Sequence, residues 1–183
     1  SIYQSAQETF DWLVSEIEKE DCTVFTTKPE VFTIRARFAK NHPLYPNLLA
    51  DFVLARKESG FTPGTRNPAT CVVGTLYDDL LRRDFTVNAI AEDPLTGEII
   101  DPFGGINDLQ LGLLKCPIDA ETSFNDDPLR VIRALRFSIT KDLYISHDLW
   151  WAIKNLNADR FVETVSIERL RDELEKMFKF NSQ

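Results

Sequence analysis

An α/β (α+β) fold that ends in an all-helical region is predicted by three features of the chain. Segments rich in β-branched and aromatic residues lie at 31–38 and 49–55. A turn-forming run, Asp93-Pro94-Leu95-Thr96-Gly97, separates two further strand-like pieces at 88–92 and 98–101. Beyond Pro117, apolar residues recur at helical spacing. The α/β part covers 1–115 and the helical part 116–183.

The chain opens with a helix, because Phe10, Leu13, Val14 and Ile17 fall on one helical face. Val31-Phe32-Thr33-Ile34-Arg35-Ala36-Arg37-Phe38 alternates loosely and reads as a strand. A second strand at 49–55 runs into Arg56-Lys57-Glu58, and Glu58 is expected to be solvated. Residues 59–68 hold two Pro and two Gly without periodicity, which predicts a loop. A short helix at 76–82 follows. Helices are then expected near 127–138, 147–156 and 166–178. Ser166 caps the last, with Ile167, Leu170, Leu174 and Phe178 as its buried stripe.

Composition narrows the classes. The chain has 183 residues, 43% hydrophobic and 27% charged, which is ordinary for a folded protein. No apolar run approaches the length of a membrane span, and no signal-peptide pattern opens the chain. Cys22, Cys71 and Cys116 are odd in number and widely spaced, fitting a reducing compartment and no zinc site. His42 and His147 lack metal-ligand neighbours and read as surface or packing residues. Net charge is 21 − 29 = −8, so any grip on a polyanion must rest on local arginine clusters. The chain starts at Ser1 and its one methionine is Met177, so its N-terminus is expected to be processed, trimmed or missing something.

Two motifs carry the chemistry. In Asn125-Asp126-Asp127-Pro128-Leu129-Arg130, Asp127 suits a helix N-cap and Pro128 the first helical position. Arg130, Arg133 and Arg136 follow at three-residue spacing along one side, with Leu129, Ile132 and Leu135 facing inward. Guanidinium groups suit phosphate oxygens and base edges, although a solvated basic face has the same spacing. The second motif, Arg82-Arg83-Asp84-Phe85-Thr86-Val87-Asn88-Ala89, would mean little alone. It is followed by Asp101-Pro102-Phe103-Gly104-Gly105, by the Asp-Asp-Pro-Leu-Arg run, and by Ser166-Ile167-Glu168-Arg169-Leu170 with Glu173-Leu174.

In that order and spacing, the motifs from about residue 50 to 174 resemble the class II tRNA nucleotidyltransferases (CCA-adding enzymes) and related bacterial poly(A) polymerases. The resemblance implies a nucleotidyltransferase head with a small mixed sheet, then a helical neck. It implies transfer of CMP and AMP from CTP and ATP to the 3′ end of tRNA, with Mg2+ as cofactor and a cytoplasmic or mitochondrial setting. By resemblance, Arg83 with Arg82 contacts the triphosphate, and Asp84 accepts a ribose hydroxyl. A structural ion pair between Arg82 and Asp84 is the competing reading, and Asn88 reads as a local bridge. Asp127 and Arg130 match the pair that reads base edges, and Arg133 and Arg136 match further nucleotide contacts. Asp126 stands where the family usually carries Glu. Asp51 matches an acidic position near the metals, though a strand-edge charge explains it as well. The Asp101–Gly105 stretch reads as a structural turn.

Two family motifs are not in this sequence: Gly-Gly-x-x-Arg-Asp and the Asp-x-Asp pair that supplies the principal metal carboxylates. The opening helix resembles the one that follows Asp-x-Asp in relatives. The isolated chain is therefore expected to be inert, and a separate segment or chain is expected to supply those motifs. A poly(A) polymerase, or an inactive RNA-binding or assembly module retaining the pocket, are the alternatives.

Overall fold

The computed structural model describes residues 5–61 and 68–180. It forms two compact units, one from residues 1–58 and 71–79, the other from 59–70 and 80–183.

The first unit begins with α1 (Ala6–Lys19). The Ser5 hydroxyl accepts the Glu8 N–H (3.2 Å) and the Glu8 carboxylate accepts the Ser5 N–H (3.0 Å). Two otherwise orphaned donors are satisfied by this reciprocal cap. Strands β1 (Cys22–Lys28), β2 (Thr33–Phe38) and β3 (Leu49–Val53) form an antiparallel sheet in that order. Ile34 and Ala36 point from β2 into the core, where they meet Phe10 and Ile17 of α1, while Arg35 and Arg37 point out. Burying a side chain the size of Ile34 contributes about 2 kcal/mol. The strand expected at 31–38 starts later, because Pro29–Val31 is a 3-10 turn and Phe32 is left-handed (φ 49°). Strand β1 escaped the sequence reading because only its alternate residues are even half-buried.

Strands β4 (Arg56–Phe61) and β5 (Pro68–Val73) pair with each other. The loop expected at 59–68 is thus strand at both ends, and its centre, 62–67, lies outside the described residues. Helix α2 (Leu76–Leu81) is close to its expected place.

In the second unit, a 3-10 turn at Thr86–Asn88 leads to β6 (Ala91–Glu92), which pairs antiparallel with β7 (Ile99–Ile100). Next come α3 (Gly105–Gln110), β8 (Leu113–Leu114), α4 (Ala120–Asp126) and α5 (Leu129–Lys141). Strand β9 (Tyr144–Ile145) pairs parallel with β8, and α6 (His147–Lys154), α7 (Ala158–Thr164) and α8 (Ile167–Phe180) complete the chain. Phe85, Leu114, Phe124, Ala134 and Leu149 anchor the apolar core. Helices α4 and α7 were not expected. Each is seven residues, too short to show periodicity, and each relies on a cap: Asp119 accepts the Thr122 N–H (2.9 Å) and Asn157 the Asp159 N–H (2.9 Å).

Two helical expectations need correcting. On α5 the buried residues are Leu129, Val131 and Ala134, while Ile132 and Leu135 are half-buried. On α8, Ile167 and Phe178 are 62% and 70% exposed, and the buried residue is Glu173. The inward face of α8 is set by charge partners on α5, which override its apolar periodicity.

Candidate functional site

Asp84 lies just after α2, where Phe85 turns into the core and the backbone tightens into the 3-10 turn. Its Oδ1 accepts the Phe85 N–H (2.9 Å) and the Asn88 amide (3.0 Å). Its Oδ2 accepts both Nε (2.8 Å) and Nη2 of Arg133. Burial would push this carboxyl up, but the Arg133 charge and the hydrogen bonds from Asn88, Arg133 and Phe85 outweigh it and hold the pKa below the usual range.

Helix α5 reaches the same segment at a second point. Arg130 donates from Nη2 to the carbonyl of Arg82 (2.7 Å) and from Nη1 to the Ser123 hydroxyl (2.6 Å). Arg83 is held through its backbone N–H, which donates to the Leu80 carbonyl (3.2 Å). The structure thus brings the Arg82–Asp84 segment against Arg130 and Arg133, which are more than forty residues away in sequence.

Asp127 is extended, and Pro128 already has helical dihedrals. The Asp127 carboxylate accepts the Leu129 N–H (3.3 Å) through Oδ1, the capping role expected of it, and Nη2 of Arg169 (2.7 Å) through Oδ2. Nη1 of Arg169 is buried with no hydrogen-bond partner among the described residues. Glu173 of α8 ties the remaining arginines together. It accepts from Arg133 (3.2 Å), from Nε of Arg136 (2.6 Å) and from Lys176 (3.1 Å). Burial would raise its pKa, yet the bonds from Arg136 and Lys176 and the arginine charges lower it. The Arg136 guanidinium also stacks over the Phe137 ring at 4.4 Å. A cavity of about 310 Å³ opens along this seam, lined by Asp127, Arg133, Arg169, Asp172, Glu173 and Lys176.

Arg130 is engaged elsewhere, by the Ser123 hydroxyl and the Arg82 carbonyl. The sequence reading assigned no role to Glu173, Arg169 or Ser123. The signal for Glu173 was its position between Leu170 and Leu174, a carboxylate beside an apolar stripe, which is costly unless paired.

Asp51 belongs to the first unit. It faces Arg35 across the β2–β3 ladder, and Arg35 donates to both its oxygens (2.8 and 3.1 Å), with each side chain about half exposed. Among the described residues no group of three or more His, Cys, Asp or Glu could hold a metal ion. One carboxylate already engaged by a guanidinium is a poor match for Mg2+, which wants several free oxygen ligands.

Asp101 behaves as the structural turn residue expected. Its carboxylate accepts the Gly105 (2.7 Å) and Ile106 (2.9 Å) N–H groups at the start of α3.

The poly A polymerase head domain model matches residues 6–115. The CCA-adding enzyme of Leuconostoc citreum is 41% identical over 122 residues, 67% of this chain and 30% of that protein. The CCA-adding enzyme of Limosilactobacillus reuteri is 42% identical over 124 residues, again 67% and 30%. The Bacillus stearothermophilus CCA-adding enzyme, solved with CTP, superposes with a TM-score of 0.69 at 28% identity, covering 85% of this chain and 34% of that one. The Thermotoga maritima enzyme, complexed with tRNA, gives 0.70 at 27%, covering 92% and 36%. The chain therefore spans about a third of the length of these relatives. Over its head region, it belongs to the class II CCA-adding enzyme and poly(A) polymerase family.

Proposed function

We propose that this chain is the head and first neck portion of a template-independent RNA nucleotidyltransferase that adds CMP and AMP, from CTP and ATP, to the 3′ end of tRNA. The convergence of Arg82–Asp84 with Arg130 and Arg133 carries this reading. In it, Asp84 accepts a ribose hydroxyl, Arg82 and Arg83 receive the triphosphate, and Asp127 and Arg130 read the base edge. Arg133 is paired with Asp84 and Glu173, and Arg136 with Glu173, so a phosphate arriving there competes with those carboxylates. Head and neck divide near Lys115–Pro117 in this reading. The setting is cytoplasmic or mitochondrial, and no described helix is long and apolar enough to cross a membrane.

Mg2+ belongs to the complete enzyme. The described residues do not assemble a divalent-cation site, and the Asp51 carboxylate is already held by Arg35. The Gly-Gly and Asp-x-Asp motifs would come from a separate segment or chain. The same donor shortage favours a second reading, an inactive RNA-binding or assembly module, while the family model's description equally suits a poly(A) polymerase.

Calorimetric titration of residues 1–183 with CTP, alongside an incorporation assay with tRNA, ATP, CTP and Mg2+, tests the proposal. CTP binding without incorporation is expected. Failure to bind CTP overturns the nucleotide-site assignment, and Mg2+-dependent incorporation overturns the expected inertness of the chain.

A further inference from the structure

Among the buried acids, Asp108 sits beside the turn that follows Asp84. Asp108, in α3, is 3% exposed, and its two carboxylate oxygens have separate partners. Oδ2 accepts the Thr86 hydroxyl (2.8 Å) and Oδ1 accepts Nζ of Lys115 (2.6 Å). The Lys115 carbonyl in turn accepts the Thr86 N–H (2.9 Å), so Thr86, Asp108 and Lys115 form a closed ring. A buried carboxylate with one charged and one neutral partner is expensive to form and costly to disturb.

The ring holds the first residue of the turn that follows Asp84. Thr86 opens the 3-10 turn Thr86–Asn88, and both groups that bond Asp84 Oδ1, the Phe85 N–H and the Asn88 amide, lie within or beside it. The same helix, α3, meets the turn again at Gly105, where an added Cβ would meet the Thr86 carbonyl oxygen at 2.1 Å. A side chain cannot fit there without moving the turn. The turn is therefore held against α3 twice, by the Asp108 side chain and by close backbone contact at Gly105.

We propose that Asp108 is a positioning residue: by gripping Thr86 it fixes the direction of the Asp84 carboxylate, and so sets the preference for ribonucleotides over 2′-deoxyribonucleotides. This rests on the assignment of Asp84 as the ribose acceptor. Asp108 does not touch the nucleotide. It holds the turn that presents the Phe85 N–H and the Asn88 amide to Asp84 Oδ1, which is how supporting hydrogen bonds sharpen a recognition site.

The test measures CTP and dCTP affinity for residues 1–183 by calorimetry, with thermal melts to confirm folding. Thr86→Val removes the hydroxyl and keeps the shape, and Asp108→Asn removes the charge. Each should lower the CTP-to-dCTP affinity ratio about fivefold, the consequence of one misdirected hydrogen bond. Thr86→Ser should restore the ratio. The Asn88 side-chain amide resonance should shift in Thr86→Val and return in Thr86→Ser. If Asp84→Ala lowers the ratio but folded Thr86→Val and Asp108→Asn leave it unchanged, the positioning role is overturned and the ribose assignment stands. If Asp84→Ala also leaves it unchanged, the ribose assignment falls and takes this inference with it.

Discussion

Two arginine–carboxylate pairs, one from each unit, sit in opposite surroundings. In the first, Arg35 and Asp51 make a two-pronged pair on the outer face of a sheet, with side chains 58% and 51% exposed. In the second, Nε of Arg136 meets one oxygen of Glu173 with side chains at 13% and 5%, and Arg133 meets Asp84 at 29% and 11%. Water screens the first pair, so the sheet's stability rests on Ile34, Ala36 and Phe10 beneath it. The second network is desolvated, so each member depends on the others remaining charged and in place. Geometry alone does not rank ion pairs, because the dielectric around them does.

Substitutions that remove one side of this contrast sharpen it. The largest effect should come from Ile34→Ala, which empties a fully buried position of the first unit and should cost about 4 kcal/mol. Denaturant melts should show it regardless of salt. Glu173→Ala leaves Arg133, Arg136 and Lys176 without their shared acceptor and should cost about 3 kcal/mol. Hydrogen exchange should place that loss in α5 and α8, and equal protection in both variants would refute a cooperative network.

Acid should separate the units next. Asp84 and Glu173 have folded pKa values below their unfolded ones, so their contribution is complete above the ordinary carboxylate range. It is lost as pH falls below the ordinary carboxylate range and through the lower folded values. The second unit should then lose exchange protection first. In the first unit, the lowered carboxyl of Asp78 owes its shift to the Thr75 hydroxyl and N–H at an exposed helix start, where less is at stake. The smallest effect should be that of Asp51→Asn, whose thermal midpoint should match that of the parent chain. A clear drop would mean that the exposed pair matters more than its solvation allows.

How much was readable beforehand varied with the range of the forces involved. Helix α1 could be placed from Phe10, Leu13, Val14 and Ile17, and α5 from Pro128 and the capping Asp127, because both signals act within one or two turns. The order of the motifs pointed to the family, which the domain match bears out. Reading failed where local pattern and long-range partner disagreed. Helix α8 carries an apolar stripe, yet Ile167 and Phe178 are exposed while Glu173 is buried. Strand β1 and helices α4 and α7 were too short or too exposed to show a period.

The candidate site divides the same way. Sequence by itself determined which residues carry charge, where helices begin, and that Arg130, Arg133 and Arg136 share one side of α5. Only the tertiary structure decided that Arg133 closes on Asp84, 49 residues away, and on Glu173, 40 residues away, and that Arg35 takes both oxygens of Asp51. The helical pattern is encoded by neighbours within a few residues. A charge acquires its partner and its dielectric only when distant segments close around it.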